Sequence, residues 1–316
     1  MAAVSCSIAV AQQPAQQNMP PAQSAPWPGL GSGTSPDEVK ASIELAPELH
    51  RGISAQQMLR DRRRLDKALA ALVPQRKGVV DAYVVTIALD SEPVFAREAK
   101  EAGKVLSRRY NAAGRTMVLA GPDGKNDEAP RGSISALLVT LARISELMDP
   151  DEDVLVLYST SHGMPQGLAY RYGDMGYGIL SPARLKGVLE ELKLQRRVLM
   201  LSACYSGVFI PVLASSDTAI LTASAANRTS FGCEPDNDWT FFGDALINHA
   251  LRKPQGLEQA AEEANRLVVD WESRKLLLAS LPQISVGEGA KLWLQSLDAR
   301  VPKVATNPVG KPSLGE

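Results

Sequence analysis

Two reactive side chains each follow an apolar segment of this 316-residue chain. His162 comes after residues 153–161, and Cys204 comes after residues 197–203. Both segments are rich in aliphatic residues, which is typical of buried parallel strands. Because the carboxyl ends of parallel strands meet at one edge of an open α/β sheet, we expect His162 and Cys204 to lie side by side. A histidine beside a cysteine predicts thiolate chemistry.

Cys204 is the candidate nucleophile. A cysteine attacks as its thiolate, which a neighbouring imidazole or a helix amino terminus stabilises. A helix predicted from Val208 onward would bring backbone amides and the positive end of a dipole near the sulfur. His162 would stabilise the thiolate or protonate the leaving amine, and positioned proton transfer of this kind is worth roughly 10²–10⁴-fold.

Gly163 and Cys204 are candidates for an oxyanion hole. Because Gly163 has no side chain, its amide can approach a substrate carbonyl closely, and the amide of Cys204 would be the second donor. Each such donor contributes on the order of 2.7–4 kcal/mol. Gly207 permits a tight turn after the nucleophile. These residues together predict a cysteine peptidase that acts through a thioester acyl-enzyme.

The remaining histidines and cysteines lack such partners in the sequence, and Cys233 and His249 are predicted to be structural. A disulfide between Cys204 and Cys233 is the alternative, and it would consume the nucleophile. No set of three or four ligands has the spacing of a metal site. The chain has no Gly-x-Gly-x-x-Gly after its first strand and no Walker-type motif. We therefore predict no metal and no other cofactor.

Strands and helices alternate along the middle of the chain. The predicted strands cover residues 79–89, 115–119, 153–161, 197–203 and 218–223. This alternation predicts a parallel sheet with helices on both faces, which is an α/β fold built as a three-layer α/β/α sandwich. Residues 167–178, rich in glycine and tyrosine, are predicted to form a loop that helps to shape a substrate cleft.

The chain divides into five predicted segments. They are the end of a truncated signal peptide in residues 1–11, a flexible linker in 12–53, a helical extension in 54–75, the α/β domain in 76–275, and a C-terminal appendage and tail in 276–316. Ala9 and Ala11 are spaced as at a signal cleavage site, which favours a periplasmic or secreted protein. The alternatives are a disordered tail and a cytoplasmic location, because the basic start of a signal is missing.

Composition narrows the choice of partners. The net charge of −1 gives no bulk attraction for nucleic acid or for an anionic membrane. No segment reaches the roughly 18–20 apolar residues that span a bilayer, so no integral membrane segment is predicted. The expected partner is a protein or peptide substrate, and the sequence makes no prediction of the oligomeric state.

Five motifs carry a resemblance to a known family. They are residues 94–98, 158–163, 202–207, 222–233 and 241–244. In these motifs the chain resembles the caspase-like clan of cysteine peptidases, and more closely the bacterial members of the legumain family, peptidase family C13. The resemblance implies a caspase-like fold with a mostly parallel central sheet, a dyad of His162 and Cys204, and no cofactor.

The resemblance also implies a substrate pocket. Legumain-like enzymes cleave after asparagine and sometimes aspartate, and the matching pocket positions here are Arg97, Thr229, Ser230 and Asp244. An arginine and a carboxylate suit an amide side chain, because one donates to its oxygen and the other accepts from its nitrogen. Tyr205 stands where the family has a glutamate, which removes one acidic contact. The family's asparagine shortly before the pocket arginine is also absent.

Three other functions fit parts of the sequence. A non-catalytic caspase-like scaffold would bind peptides with an unreactive dyad, and its Cys204 would not be alkylated rapidly. A transpeptidase of the same family would use the same thioester, intercepted by an amine. A flavodoxin-like cofactor domain shares the α/β alternation but needs a phosphate-binding loop that the chain lacks.

Overall fold

A computed structural model describes residues 23, 24, 26, 29, 31–44, 48–121 and 129–314. The helices are α1 Pro36–Glu44, α2 Ala55–Ala70, α3 Pro93–Arg109, α4 Ile134–Leu147, α5 Pro182–Glu191, α6 Ile210–Leu213, α7 Phe241–Gly243, α8 Leu257–Arg274 and α9 Glu288–Asp298. The strands are β1 Leu49–His50, β2 Ala82–Ala88, β3 Thr116–Leu119, β4 Val154–Thr160, β5 Gly163–Met164, β6 Gly167–Tyr172, β7 Gly176–Leu180, β8 Arg197–Ser202, β9 Thr218–Thr222 and β10 Gln283–Val286. The predicted signal in residues 1–11 and Cys6 lie outside the described residues.

A six-stranded sheet forms the centre of the molecule, with the strand order β10-β9-β8-β4-β2-β3. The five strands from β9 to β3 are parallel, and β10 is antiparallel at the edge. Every residue of β2, β4, β8 and β9 is buried, as expected for strands covered on both faces. The predicted α/β fold with a mostly parallel sheet is confirmed.

Alternate residues of the strands supply two separate cores. Val156 and Tyr158 of β4 belong to one core, which α3, α8 and α9 cover. Leu155 and Leu157 of the same strand belong to the other core, which α4 and α5 cover. Because successive strand residues point to opposite faces, each face of the sheet buries its own layer of helices. The result is the predicted three-layer sandwich.

A small second sheet, with the order β1-β7-β6-β5, lies beside the point where β4 ends. Its β6 and β7 form an antiparallel hairpin from residues that the sequence predicts to be a loop. The prediction of a loop is wrong, because these residues are paired strands, and their Tyr170 and Tyr177 are buried. Paired strands satisfy the backbone groups of such a buried segment, which an open loop would leave without partners.

Both ends of the described chain contribute regular structure. Helix α1 and β1 lie within the residues predicted to be a linker, and α2 forms most of the predicted helical extension, with Ser54 as its N-cap. The predicted C-terminal appendage supplies β10 to the main sheet, and α9 buries Trp293 and Leu294 in the core. Among the helices of the described ranges, none has the length and apolar character needed to cross a bilayer.

Candidate active site

His162 and Cys204 lie at the same edge of the main sheet. Thr160 of β4 is paired with Ser202 of β8, and each reactive residue comes two positions after its paired residue. The backbone of Gly163 packs directly against this edge, since a Cβ atom there would lie 2.0 Å from the carbonyl oxygen of Cys204. Adjacent parallel strands therefore deliver the histidine, the glycine and the cysteine to one place.

The thiol of Cys204 contacts one residue of the loop that follows β9. The backbone N–H of Ser230 points at Sγ at 3.2 Å, and Sγ lies 3.6 Å from the Ser230 carbonyl oxygen. A backbone N–H aimed at sulfur stabilises negative charge there. Ser230, a predicted pocket residue, thus lies beside the candidate nucleophile. Thr229 precedes it and is exposed.

The chain turns sharply after Cys204. Tyr205 has a φ of 57°, in the left-handed region, and a four-residue 3₁₀ helix at Ser206–Phe209 follows. The helix predicted from Val208 is therefore interrupted, since α6 is itself only four residues long. Gly207 serves a close approach, because a Cβ atom there would lie 2.5 Å from the backbone nitrogen of Ala226.

The imidazole of His162 is held by the start of α3. Its Nε2 lies 3.2 Å from Oε2 of Glu92, and the ring of Phe95 meets it edge to face with centroids 5.1 Å apart. The His162 side chain is 39% exposed, so the ring remains open to solvent or substrate on one side. Glu92 is not among the residues predicted from the sequence, although its position after β2, the strand beside β4, could have indicated its place in the site.

His162 is a cationic group in this setting. Burial alone lowers the pKa of His162, but hydrogen bonds with Cys233 and Glu92 and the nearby charge of Asp90 outweigh burial and raise the pKa to about 11. The imidazole is therefore protonated at neutral pH. A protonated imidazole is ready to give a proton to a leaving group.

Cys233 lies near this site, although the sequence indicates no partner for it. Burial opposes the charged form of His162, but Cys233 is one of the groups that raise the pKa of the imidazole, and it packs against the cluster that contains Val94 and Phe95 of α3. Cys204 and Cys233 are both free thiols. Cys233 follows β9, so its position after a strand next to β8 could have indicated this placement.

Arg97 and Asp244, two of the predicted pocket residues, form contacts with other parts of the protein. Arg97 forms an ion pair with Asp238 at 3.0 Å and donates to the carbonyl oxygens of Pro235 and Asn237. These contacts hold residues 235–238 against α3. The Arg97 side chain is 30% exposed.

Asp244 is fully buried, and the prediction that it contacts substrate is not supported by its surroundings. Its Oδ1 accepts from Asn248 at 2.8 Å, and its Oδ2 accepts from the backbone of Ser313 at 2.8 Å. His249 also lies 3.5 Å from Oδ1. Because both oxygens bind the chain itself, Asp244 anchors the C-terminal tail. The predicted structural role of His249 agrees with this contact.

A cavity of about 340 Å³ lies next to the loop that carries Ser230 and Cys233. Phe231, Phe241 and Leu277 give it an apolar floor, and Lys275 and Lys311 line it as well. Within the described part of the chain, no group of three or more histidine, cysteine, aspartate or glutamate residues is arranged to hold a metal ion.

Comparisons with known proteins found one matching family model and a similar solved structure. A model of the Peptidase C13 family matches residues 131–291, which is about half of the chain. The solved structure of caspase-1 from Spodoptera frugiperda is similar at 13% identity and a TM-score of 0.43, covering 68% of this chain and 92% of that one. No curated protein matches the chain. The matched residues include His162, Cys204 and Cys233, while Glu92 and Arg97 precede them.

Proposed function

Because the chain belongs to the Peptidase C13 family, we propose that it is a cysteine endopeptidase with Cys204 as nucleophile and His162 as proton donor. Family membership by itself supports a peptidase of the cysteine type. The observation that carries the finer proposal is the close packing of Gly163 against the carbonyl of Cys204, at the edge where β4 and β8 end.

The proposed reaction passes through a thioester. The sulfur of Cys204 attacks the substrate carbonyl carbon, and the carbonyl electrons move to oxygen, where the amides of Gly163 and Cys204 stabilise the charge. The C–N bond then breaks as the imidazolium of His162 gives its proton to the leaving amine. Water attacks the thioester, releasing the new carboxylic acid and the free thiol.

Cleavage after asparagine or aspartate is the specificity that we propose. Of the four predicted pocket residues, Ser230 contacts the sulfur and Thr229 is exposed beside it. Arg97 and Asp244 are engaged within the protein, so we assign recognition of the substrate side chain to the loop at residues 229–230. The neighbouring cavity of about 340 Å³ would take a further residue of an extended peptide.

Single substitutions of the two thiols and the imidazole test the proposal. We expect Cys204→Ala and His162→Ala to abolish turnover of a peptide library, and Cys233→Ala to retain it. Iodoacetamide labelling with mass spectrometry should modify Cys204 first. Circular dichroism of each variant checks that the fold is intact.

Three outcomes would change the assignment. Retained turnover in Cys204→Ala would overturn Cys204 as the nucleophile, and its loss in Cys233→Ala alone would transfer that role to Cys233. A ligated product in the presence of an added amine peptide would instead identify the protein as a transpeptidase, because both reactions share the thioester.

A further inference from the structure

Glu92 occupies the N-cap position of α3 without acting as a cap. Its backbone is extended, with a φ of −63° and a ψ of 136°, as N-cap residues usually are. Its side chain makes no capping hydrogen bond, and glutamate is not among the residues preferred there. The carboxylate therefore has no local task in starting the helix.

The carboxylate of Glu92 instead contacts His162. Oε2 lies 3.2 Å from Nε2 of the imidazole, and the Glu92 side chain is only 24% exposed. Phe95, one turn further along α3, meets the same ring edge to face. The N-cap residue and the first turn of α3 thus both contact the imidazole.

Asp90 fixes the turn that presents Glu92. Its Oδ1 accepts from the backbone N–H of Glu92 at 2.9 Å, and the residue is almost fully buried. Its Oδ2 is also buried and has no hydrogen-bond partner among the described residues. Burial opposes the charged form of His162, whereas Cys233, Glu92 and the nearby charge of Asp90 together raise its pKa.

We propose that Glu92 is a positioning residue for His162, holding Nε2 so that the other ring nitrogen exchanges the proton with the substrate. This inference rests on the proposed peptidase function. A carboxylate that accepts from one ring nitrogen fixes both the orientation and the protonation of an imidazole. Glu92 lies outside the residues that the family model matches, so the family match does not assign this role.

Glu92→Asn separates positioning from a structural role. Asparagine is among the best N-cap residues, so the variant should begin α3 at least as well as the wild type while losing the carboxylate. Since positioned proton transfer is worth roughly 10²–10⁴-fold, we expect kcat to fall by at least about 10-fold, with KM little changed. The thermal midpoint should stay the same or rise.

A second measurement does not depend on activity. Removing an acceptor that favours the charged imidazole should lower the pKa of His162, because the protonated form then loses a stabilising partner. An NMR titration of the His162 ring should show this in Glu92→Asn, and to a smaller extent in Glu92→Gln, which keeps an amide oxygen of the same reach. Glu190→Gln, at an exposed position of α5, is the matched control and should change neither quantity.

An unchanged kcat together with an unchanged titration in Glu92→Asn would overturn the positioning role. A fall in the thermal midpoint of Glu92→Asn that accounts for the lost activity would overturn it as well. If Cys204→Ala kept full turnover while the titration still shifted, the proposed function would fail and the contact between Glu92 and His162 would stand. The two failures are therefore distinguishable.

Discussion

At the level of single residues, the site depends on how closely two backbones approach. The carbonyl of Cys204 leaves no room for a side chain at position 163, and the identities of the two residues do not by themselves predict this close approach. Position 163 therefore requires a residue without a side chain, whereas the proposed role of Cys204 depends on its sulfur.

Gly163→Ala should disable the proposed enzyme. A Cβ atom at this position would lie 2.0 Å from the Cys204 carbonyl oxygen and 3.0 Å from Cβ of Ala203, so the backbone must move. Loss of one oxyanion-hole donor costs roughly 10²–10³-fold in kcat, and we expect a loss of this size in peptide turnover.

Gly187→Ala is the control for that variant. It lies in α5, and a Cβ atom there would meet nothing within 4 Å. Replacing a helical glycine by alanine stabilises by about 0.5–1 kcal/mol, so this variant should be fully active and slightly more stable. Full activity in Gly163→Ala would remove the Gly163 amide from the mechanism.

At the level of elements, α3 connects the site to the core. Its first turn holds His162, and further along it Glu98 is completely buried. Oε1 of Glu98 accepts from the hydroxyl of Tyr158 on β4 at 2.5 Å, and Oε2 accepts from the backbone of Thr240 at 2.7 Å. Burial raises the pKa of Glu98, although these hydrogen bonds oppose the shift. The carboxyl group thus joins α3, β4 and the start of α7.

Glu98→Ala should destabilise the fold strongly. Each buried donor left without an acceptor costs about 1–3 kcal/mol, and two donors are orphaned here, so we expect a loss of roughly 2–6 kcal/mol in the free energy of unfolding. Glu98→Gln keeps the shape and one acceptor and should cost clearly less. Urea unfolding of both variants gives the comparison, and equal stability of Glu98→Ala and wild type would show that this network contributes nothing.

At the level of the whole molecule, the C-terminal tail closes over the layer that contains α7 and α8. Val309 exchanges two hydrogen bonds with the Asn248 side chain, at 2.9 and 3.1 Å, and its carbonyl also accepts from Trp239 at 2.8 Å. Asp244 binds the tail further along, through Ser313. The residues around the predicted pocket position are therefore part of the packing of the chain end.

Asp244→Ala should reduce stability and leave the substrate preference unchanged. Hydrogen bonds to charged groups contribute about 1.5–3 kcal/mol each and two are lost, so we expect a loss of roughly 3–6 kcal/mol in the free energy of unfolding. The measurements are urea unfolding and peptide-library profiling. Removing residues 305–316 also removes the hydrogen bond from Ser313 to Asp244. Asp244→Ala should therefore cost less stability in the truncated chain than in the full one. A changed P1 preference with intact stability would instead support the predicted role of Asp244 in the substrate pocket.

Much of the central sheet follows from local sequence. Residues 153–161 and 197–203 are rich in aliphatic residues, which favours buried strands, and the predicted bounds agree with β4 and β8 to within one residue. The hairpin of β6 and β7 was missed because glycine and tyrosine give no regular pattern there, and pairing with a neighbouring strand decides its conformation.

The sequence by itself determined the α/β sandwich and the placement of His162 and Cys204 at one edge of the sheet, because hydrophobic patterning sets the strands and parallel strands end at one edge. Only the tertiary structure decided that Glu92 and Cys233 face the imidazole, while Asp244 turns away to bind the chain end. Glu92 and Cys233 lie in connections between strands and helices, and Asp244 lies at the start of a π-helical segment. The direction of each side chain there depends on packing between elements distant in sequence.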